Sequence, residues 1–353
     1  MLIDFLLVTR HSPLITVFME ISIADRSALL ALIERFSRQK IAVLGDLVAD
    51  EFIHGEIARV SREAPVLILH QRERRIVPGG AANAANNLIE MGSRIGLVGV
   101  VGEDESGAAL LDYFRQKGVS TRGVRRLKGY VTPTKSRVLG GMGHSQMQQI
   151  VRVDREPARE LGSKTRQGLL RRTLPLLAHS SALLISDYGY GACNPKTVGA
   201  LNRRKGNPPC VVDSRYRILS YNHVTASTPN EPEMEAAFGV RVGNDLRVLR
   251  RCADRALEAC SLKALLITRG REGMALYEPH SRPQVLPIFG SDQVADVTGA
   301  GDTVIAAFTL SLAAGASFLH AAMLANCAGG LVVMKSGTAT VTARELAEAI
   351  RNL

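Results

Sequence analysis

Tryptophan is absent from the 353 residues, and aromatic side chains make up only 5% of them. That scarcity argues against a single-strand nucleic-acid binder, whose bases stack on aromatic platforms. The five cysteines, Cys193, Cys210, Cys252, Cys260 and Cys327, show no Cys-x-x-Cys spacing. An odd, scattered set gives no support to a disulfide framework or a zinc site and reads as reduced, buried thiols in a cytoplasmic protein. Between Thr303 and Met334 there is no Asp, Glu, Lys or Arg. By length alone such a run matches a membrane span. It is rich in Ala, however, and interrupted by Gly315 and Gly329-Gly330, so it predicts two helices buried against a sheet and no membrane segment. No internal repeat, low-complexity tract or long linker is found. Met1 to Met19 is apolar in patches, but Asp4, Arg10, His11 and Pro13 break any signal-peptide core. Residues 1–21 read as a disordered tail, or as an over-extended reading frame with its true start at Met19.

Hydrophobic residues make up 46% of the chain, enough for one large core or two modest ones. The net charge of +11 suits an anionic partner, and basic residues gather at Arg115 to Arg137, Lys164 to Arg172 and Arg203 to Lys205. Most of that excess reads as solvated helix faces. Ser22 or Asp25 can cap a first helix with apolar positions at Leu29, Leu30, Ile33 and Phe36, and Ile41 to Leu44 reads as a buried strand. It ends in Gly45-Asp46, and an acid at the carboxyl end of a parallel strand faces the crevice where ligands bind in open α/β sheets. Residues 48–77 and 130–155 are predicted to be extended and to form a small sheet of their own. Between and after them, strands at Ile95 to Val101, Ala182 to Ser186, Cys210 to Asp213, Val224 to Ser227 and Ala264 to Thr268 alternate with helical segments. Such alternation predicts a doubly wound, mostly parallel sheet flanked by helices. Residues 22–353 are expected to form one domain.

The most telling stretch is Val294-Ala295-Asp296-Val297-Thr298-Gly299-Ala300-Gly301-Asp302-Thr303, a glycine turn that opens an apolar helix. Unpaired amides and the dipole at a helix N-terminus attract phosphate, and small residues let its oxygens approach the backbone. Asp302, already negative, is better suited to take a proton from an attacking hydroxyl than to ligate phosphate. A plain N-cap with a glycine turn explains the residues about as well on physical grounds.

Asp296 to Asp302 resembles the C-terminal signature of the ribokinase-like sugar kinase family, and Pro78-Gly79-Gly80-Ala81-Ala82-Asn83 resembles its N-terminal glycine motif. The resemblance implies a ribokinase-like α/β fold with a small β-sheet lid and a homodimer formed through paired lids. It also implies that Asp302 is the base, that Gly299, Ala300 and Gly301 form an anion hole, and that Asp46, Gly79, Gly80 and Asn83 hold sugar hydroxyls. A potassium site near Asp296 and Thr298 is a further implication.

Within the family the chain is most similar, from about Ile41 to Thr340, to the heptose-7-phosphate kinases. The likeness rests on Gly45-Asp46-Leu47-Val48-Ala49-Asp50, Arg59-Val60-Ser61-Arg62-Glu63-Ala64-Pro65-Val66, Thr134 to Val138 and Gln148 to Asp154. Ser186-Asp187-Tyr188-Gly189-Tyr190-Gly191 and Val212-Asp213-Ser214-Arg215 complete it. Arg62 stands where a Pro is usual, Tyr190 where a Lys is usual, and Arg215 keeps a positive charge in an altered Asp-Pro-Lys segment. Lys135, Arg137 and Arg152 are candidates for a substrate phosphate, and Asp187 for a polar sugar contact. Thr228-Pro229-Asn230-Glu231-Pro232-Glu233 matches the family's Asn-x-x-Glu, implying that Asn230 and Glu233 organise magnesium largely through water. A capping box is the alternative reading of the same pair. Thr268, Arg269 and Gly270, with Arg215 and Asn326, are the remaining candidates for the nucleotide.

The implied reaction is transfer of the ATP γ-phosphoryl group to the anomeric hydroxyl of a heptose 7-phosphate. A kinase for another sugar, sugar phosphate or nucleoside is the first alternative, and a catalytically silent sugar-phosphate sensor the second. Some relatives of this kind carry a fused nucleotidyltransferase domain. None is expected in a chain that stops at Leu353.

Overall fold

The computed structural model describes residues 22–141, 147–202, 206–243, 245–290 and 296–353. The tail at 1–21, the basic cluster at 203–205, and Val294 and Ala295 of the glycine-turn signature lie outside the described residues. Ser22 opens the first helix, its hydroxyl accepting the Asp25 amide at 3.1 Å. Helix α1 (Ile23–Glu34) buries Leu29, Leu32 and Ile33, while Phe36 is buried from the turn that follows. The chain then runs through β1 (Lys40–Gly45), β2 (Leu47–Val60), β3 (Leu67–Gly80), α2 (Ala81–Glu90), β4 (Arg94–Gly102), α3 (Glu105–Gln116) and β5 (Val124–Leu127). Next come β6 (Thr134–Gly141), β7 (Gln148–Arg155), α4 (Ser163–Leu177), β8 (Ala182–Asp187), α5 (Pro195–Asn202), β9 (Cys210–Ser214) and β10 (Ala226–Ser227). The last part holds α6 (Glu231–Phe238), α7 (Leu246–Cys260), β11 (Ala264–Thr268), β12 (Met274–Tyr277), β13 (Gln284–Leu286), α8 (Ala300–Ala313), α9 (Phe318–Val333) and α10 (Ala343–Arg351).

Nine strands form one sheet in the order β13-β12-β11-β10-β9-β8-β1-β4-β5. From β11 to β5 neighbours run parallel, and the β12–β13 hairpin adds an antiparallel edge. The central strands are apolar at almost every position because both faces are covered. Ile41, Val43, Leu97 and Leu184 turn into one core with α1, α2, α3, α8, α9 and α10. Ala42, Leu44, Val98, Leu183 and Ile185 turn into the other with α4, α5 and α7. The charge-free stretch forms α8 and α9, packed side by side in the first of these cores. No helix of the described residues is long and apolar enough to cross a membrane.

The small sheet has the order β3-β2-β6-β7. It grows straight out of the large one, since only Asp46 separates β1 from β2, and β3 passes without a break into α2. Pairing of Val48 with Gly79 and Leu47 with Gly80 continues to the very end of β3, so the glycine motif finishes a strand instead of forming a loop. At this junction Gly45 tolerates no side chain: an added Cβ would collide with Ala81 Cβ and lie 2.6 Å from the Ser186 carbonyl oxygen. Gly45→Ala should therefore destabilise the fold by about 1–3 kcal/mol, the usual cost of overpacking. An unchanged urea midpoint would contradict this crowding.

Candidate active site

Helices α2 and α8 meet at their first turns. Asn83 Nδ2 donates to Asp302 Oδ2 at 3.0 Å, and one turn further in Thr303 Oγ1 donates to Asn87 Oδ1 at 3.0 Å. Asn87 in turn donates to Asn83 Oδ1 at 3.2 Å, which fixes the orientation of both amides. Only glycine fits at 299: its φ is +78°, and a Cβ there would strike Asn83 Nδ2. Gly301 differs, for a Cβ there meets nothing within 4 Å among the described residues beyond its own helix turn and would project into open space.

That space is a cavity of about 420 Å³ lined by Asp187, Tyr188, Asp213, Arg215, Asn230, Glu233 and Asp302 among others. A second cavity of about 620 Å³ shares Asn230, Pro232, Thr268 and Gly301 with it and is more apolar, reaching Met274, Val304, Asn326 and Val333. The charges in the first cavity are unequal. Asp213, Glu233 and Asp302 face a single guanidinium, that of Arg215. Burial raises the pKa of all three acids, and for Asp213 the nearby charges of Glu233, Asp302 and Asp187 push further in the same direction. Asp302 is pushed up to about 7, by burial first and by the charge of Asp50 to a lesser extent, against the hydrogen bonds it accepts.

Asn230 and Glu233 form a capping box at the start of α6, with Asn230 Oδ1 accepting the Glu233 amide at 2.8 Å and Glu233 Oε2 accepting the Asn230 amide at 2.9 Å. Both alternatives read from the sequence are compatible here, because the capped pair also lines the cavity. The hard oxygens of Glu233 and Asp213 suit magnesium, which keeps most of its shell as water and phosphate oxygen. No cluster of three or more potential ligands occurs among the described residues. Asp296 accepts the Thr298 amide at 2.8 Å and the Gly337 amide at 3.1 Å, so it staples the glycine turn to the segment after α9.

Other candidates are engaged by protein partners. Asp46 accepts three amides, from Tyr188 (2.9 Å), Tyr190 (3.0 Å) and Ala192 (2.8 Å). Burial, assisted by Asp187, pushes its pKa up to about 6. Asp187 accepts from Ser214, Arg217, Tyr221 and the Gly189 amide, all within 3.1 Å, so it anchors the loop after β8. The Ala300 amide donates to the Val297 carbonyl at 3.2 Å. Arg269 pairs with Glu231 at 2.9 Å, and Asn326 donates to the Pro287 carbonyl at 2.7 Å. Thr268 and Gly270 remain on the wall of the larger cavity.

On the small sheet, Arg137 reaches Asp50 at 2.6 Å and lies over the Phe52 ring, 5.4 Å from its centroid. Lys135 and Arg152 both hold Asp154, at 3.1 and 2.8 Å. Gly79 lets the backbone close on Asp50, whose Oδ2 would be 2.6 Å from an added Cβ. Asp50, Tyr188 and Asp213 are the site groups that the sequence reading quoted without giving them a part. Their signal was faint: Asp50 reaches the site only because β2 continues β1 through Asp46, and Tyr188 only because Asp46 folds its loop inward.

The raised pKa of Asp302 has a stability consequence. The unfolded carboxyl titrates near 3.8 and the folded one near 7. Between those values the folded chain binds more protons, so this group erodes stability as pH rises through the window. Asp302→Asn should therefore be little more stable than the parent at about pH 4, and increasingly so up to about pH 7, with the gap constant above. Urea midpoints across that range that show no widening gap would refute the burial penalty.

Residues 38–344 match the family model described as "pfkB family carbohydrate kinase". Among curated proteins the chain is similar to bifunctional protein HldE of Trichlorobacter lovleyi, at 37% identity over 92% of this chain and 66% of that protein. It is also similar to bifunctional protein HldE of Geobacter sulfurreducens (39%, covering 86% and 61%) and of Coxiella burnetii (38%, covering 91% and 66%). The chain thus spans under two thirds of the length of these relatives. Of solved structures, Arabidopsis thaliana ribokinase complexed with ribose and ATP aligns with TM-score 0.68 at 19% identity, covering 89% of this chain and 99% of that one. Escherichia coli phosphofructokinase-2 aligns with TM-score 0.72 at 18% identity, again covering 89% and 99%. At such identities the likeness to the two structures is one of fold.

Proposed function

The chain belongs to the pfkB family of carbohydrate kinases and is an ATP-dependent sugar kinase, and we propose that its acceptor is the anomeric hydroxyl of a heptose 7-phosphate. The observation that carries the reaction is Asp302, a buried carboxylate in the first turn of α8, beside Gly301 at the join of the two cavities. Asp302 takes the proton of the acceptor hydroxyl. A base near neutrality suits an anomeric hydroxyl, which is more acidic than an ordinary alcohol. First-turn amides of α8, chiefly at Gly301, face charge developing on the transferring group, and Arg215 neutralises its outer oxygens. Asn230, Glu233 and Asp213 are proposed to hold hydrated magnesium, which screens the phosphate charge when bound. The apolar 620 Å³ cavity suits the nucleobase.

The choice of acceptor rests on the resemblance to heptose-7-phosphate kinases and on the basic face of the small sheet, which acts in this reading as a lid. Asp50 and Gly79 would contact sugar hydroxyls, and Lys135, Arg137 and Arg152 the distal phosphate. One observation favours another acceptor: Tyr190, in place of a lysine, donates to Glu156 at 2.8 Å, which makes the mouth less basic. A homodimer through the lid is proposed from β7, exposed at every position, with Ile150, Val151 and Val153 among its apolar residues.

An ADP-release screen over heptose 7-phosphate, fructose phosphates, ribose and nucleosides tests the acceptor. Highest kcat/KM on the heptose is expected, and a better substrate elsewhere would replace it while leaving the kinase intact. Sugar binding by calorimetry without ADP release would instead indicate a sensor. Asp302→Asn should lower kcat by about 10²–10⁴-fold with ATP binding retained. Gly301→Ala should fold normally yet lose turnover, because its methyl group occupies the space of the transferring phosphate; unchanged kcat would exclude that trajectory.

A further inference from the structure

Asp302 is held on two sides. Asn83 occupies Oδ2, and the Tyr188 hydroxyl donates to Oδ1 at 2.9 Å. Tyr188 reaches that oxygen from the loop after β8, and its reach is fixed by two features. The carboxylate of Asp46 gathers the amides of residues 188, 190 and 192, which curls the loop over the end of β1. Gly80, with φ of +53°, leaves room for the ring, since a Cβ there would stand 3.2 Å from Tyr188 Cε2. We infer that Tyr188 is a positioning residue, which orients the Asp302 carboxylate and favours its ionised form, and that Asp46 supports it from behind instead of touching the sugar. The inference rests on Asp302 serving as the base.

The chemistry follows from the donor count. Each carboxylate oxygen offers two lone-pair directions. Tyr188 and Asn83 take one on each oxygen and so fix the plane of the group, while the others stay free for the acceptor hydroxyl. A hydrogen bond to the charged form also lowers a carboxyl pKa. Among the described residues the other charged groups near Asp302 are Asp50 on β2, which disfavours its ionisation, and Asp213 on β9, whose own ionisation Asp302 disfavours and Arg215 favours. Asn83, on α2, is neutral. Tyr188 and Asn83 are therefore the donors that oppose burial at this carboxyl.

The test is the pH dependence of Tyr188→Phe, which removes one hydroxyl and little volume. Its acid limb in kcat/KM should move up by about one unit, so kcat/KM falls about fivefold near pH 7 and recovers near pH 9, with the KM for ATP unchanged. In ligand-free protein carrying 13C-carboxyl aspartate, the Asp302 resonance, identified by its loss in Asp302→Asn, should titrate higher by the same amount. Fluorotyrosine at position 188, a stronger donor of nearly the same shape, should move both midpoints down and covers the case in which the Phe variant does not fold. Unmoved midpoints, or a loss of kcat equal at every pH, would overturn the inference. Full turnover by Asp302→Asn would instead remove the base reading, while the carboxyl titration would still decide whether Tyr188 governs Asp302.

Discussion

The close contact of two helix N-termini governs this molecule. Helix α2 leaves the small sheet and α8 leaves the glycine turn, and their first turns touch through Asn83, Asp302 and Gly299. Such an approach is open only to glycine at 299, because φ is positive and the space is already filled by the Asn83 amide. The next turn repeats the joint with Asn87 and Thr303. Two positive helix ends thus converge on one carboxylate, which partly offsets the cost of burying it. The same joint ties the glycine motif at the base of the small sheet to the glycine turn, more than two hundred residues later.

Around that joint the charges are left deliberately incomplete. Asp213, Glu233 and Asp302 line a cavity in which Arg215 is the one cation among the described residues, and burial holds all three above their ordinary range. A folded protein gains nothing from such crowding in isolation. In the proposed reading it becomes favourable when a divalent cation and a polyphosphate supply the missing partners. That reading couples ligand binding and fold stability through the same carboxylates.

The fold was largely legible in the chain. Continuous apolar strands alternating with helices announced two covered sheet faces, and the charge-free stretch announced α8 and α9. The glycine turn was legible too, since a positive-φ residue, an amide-rich helix start and an acid stand within four positions. Side-chain partners were not. Lys135, Arg137 and Arg152 are candidates for a substrate phosphate by sequence, and Asp50 and Asp154 already pair with them. Asp46 ends a parallel strand, a position that points to a ligand, while β2 continues the chain through it and its carboxylate accepts the amides of another loop. Strand periodicity gives no hint of either event, because both depend on a bend between two sheets.

That bend also bears on how the proposed sugar phosphate would be recognised. Lys135 and Arg152 converge on Asp154, and Arg137 on Asp50, so the cations of the small sheet are organised before any ligand arrives. An exposed lysine or arginine loses rotamer freedom when it binds, and an internal carboxylate meets part of that cost in advance. The same carboxylates repel an incoming phosphate. Net attraction therefore depends on the excess of cations over acids on this face. Tyr190, hydrogen-bonded to Glu156, adds no cation to that excess. In the proposed reading, selectivity turns on a charge balance spread over β2, β6, β7 and the loop after β8, whereas the chemistry of transfer stays with the joined helix ends.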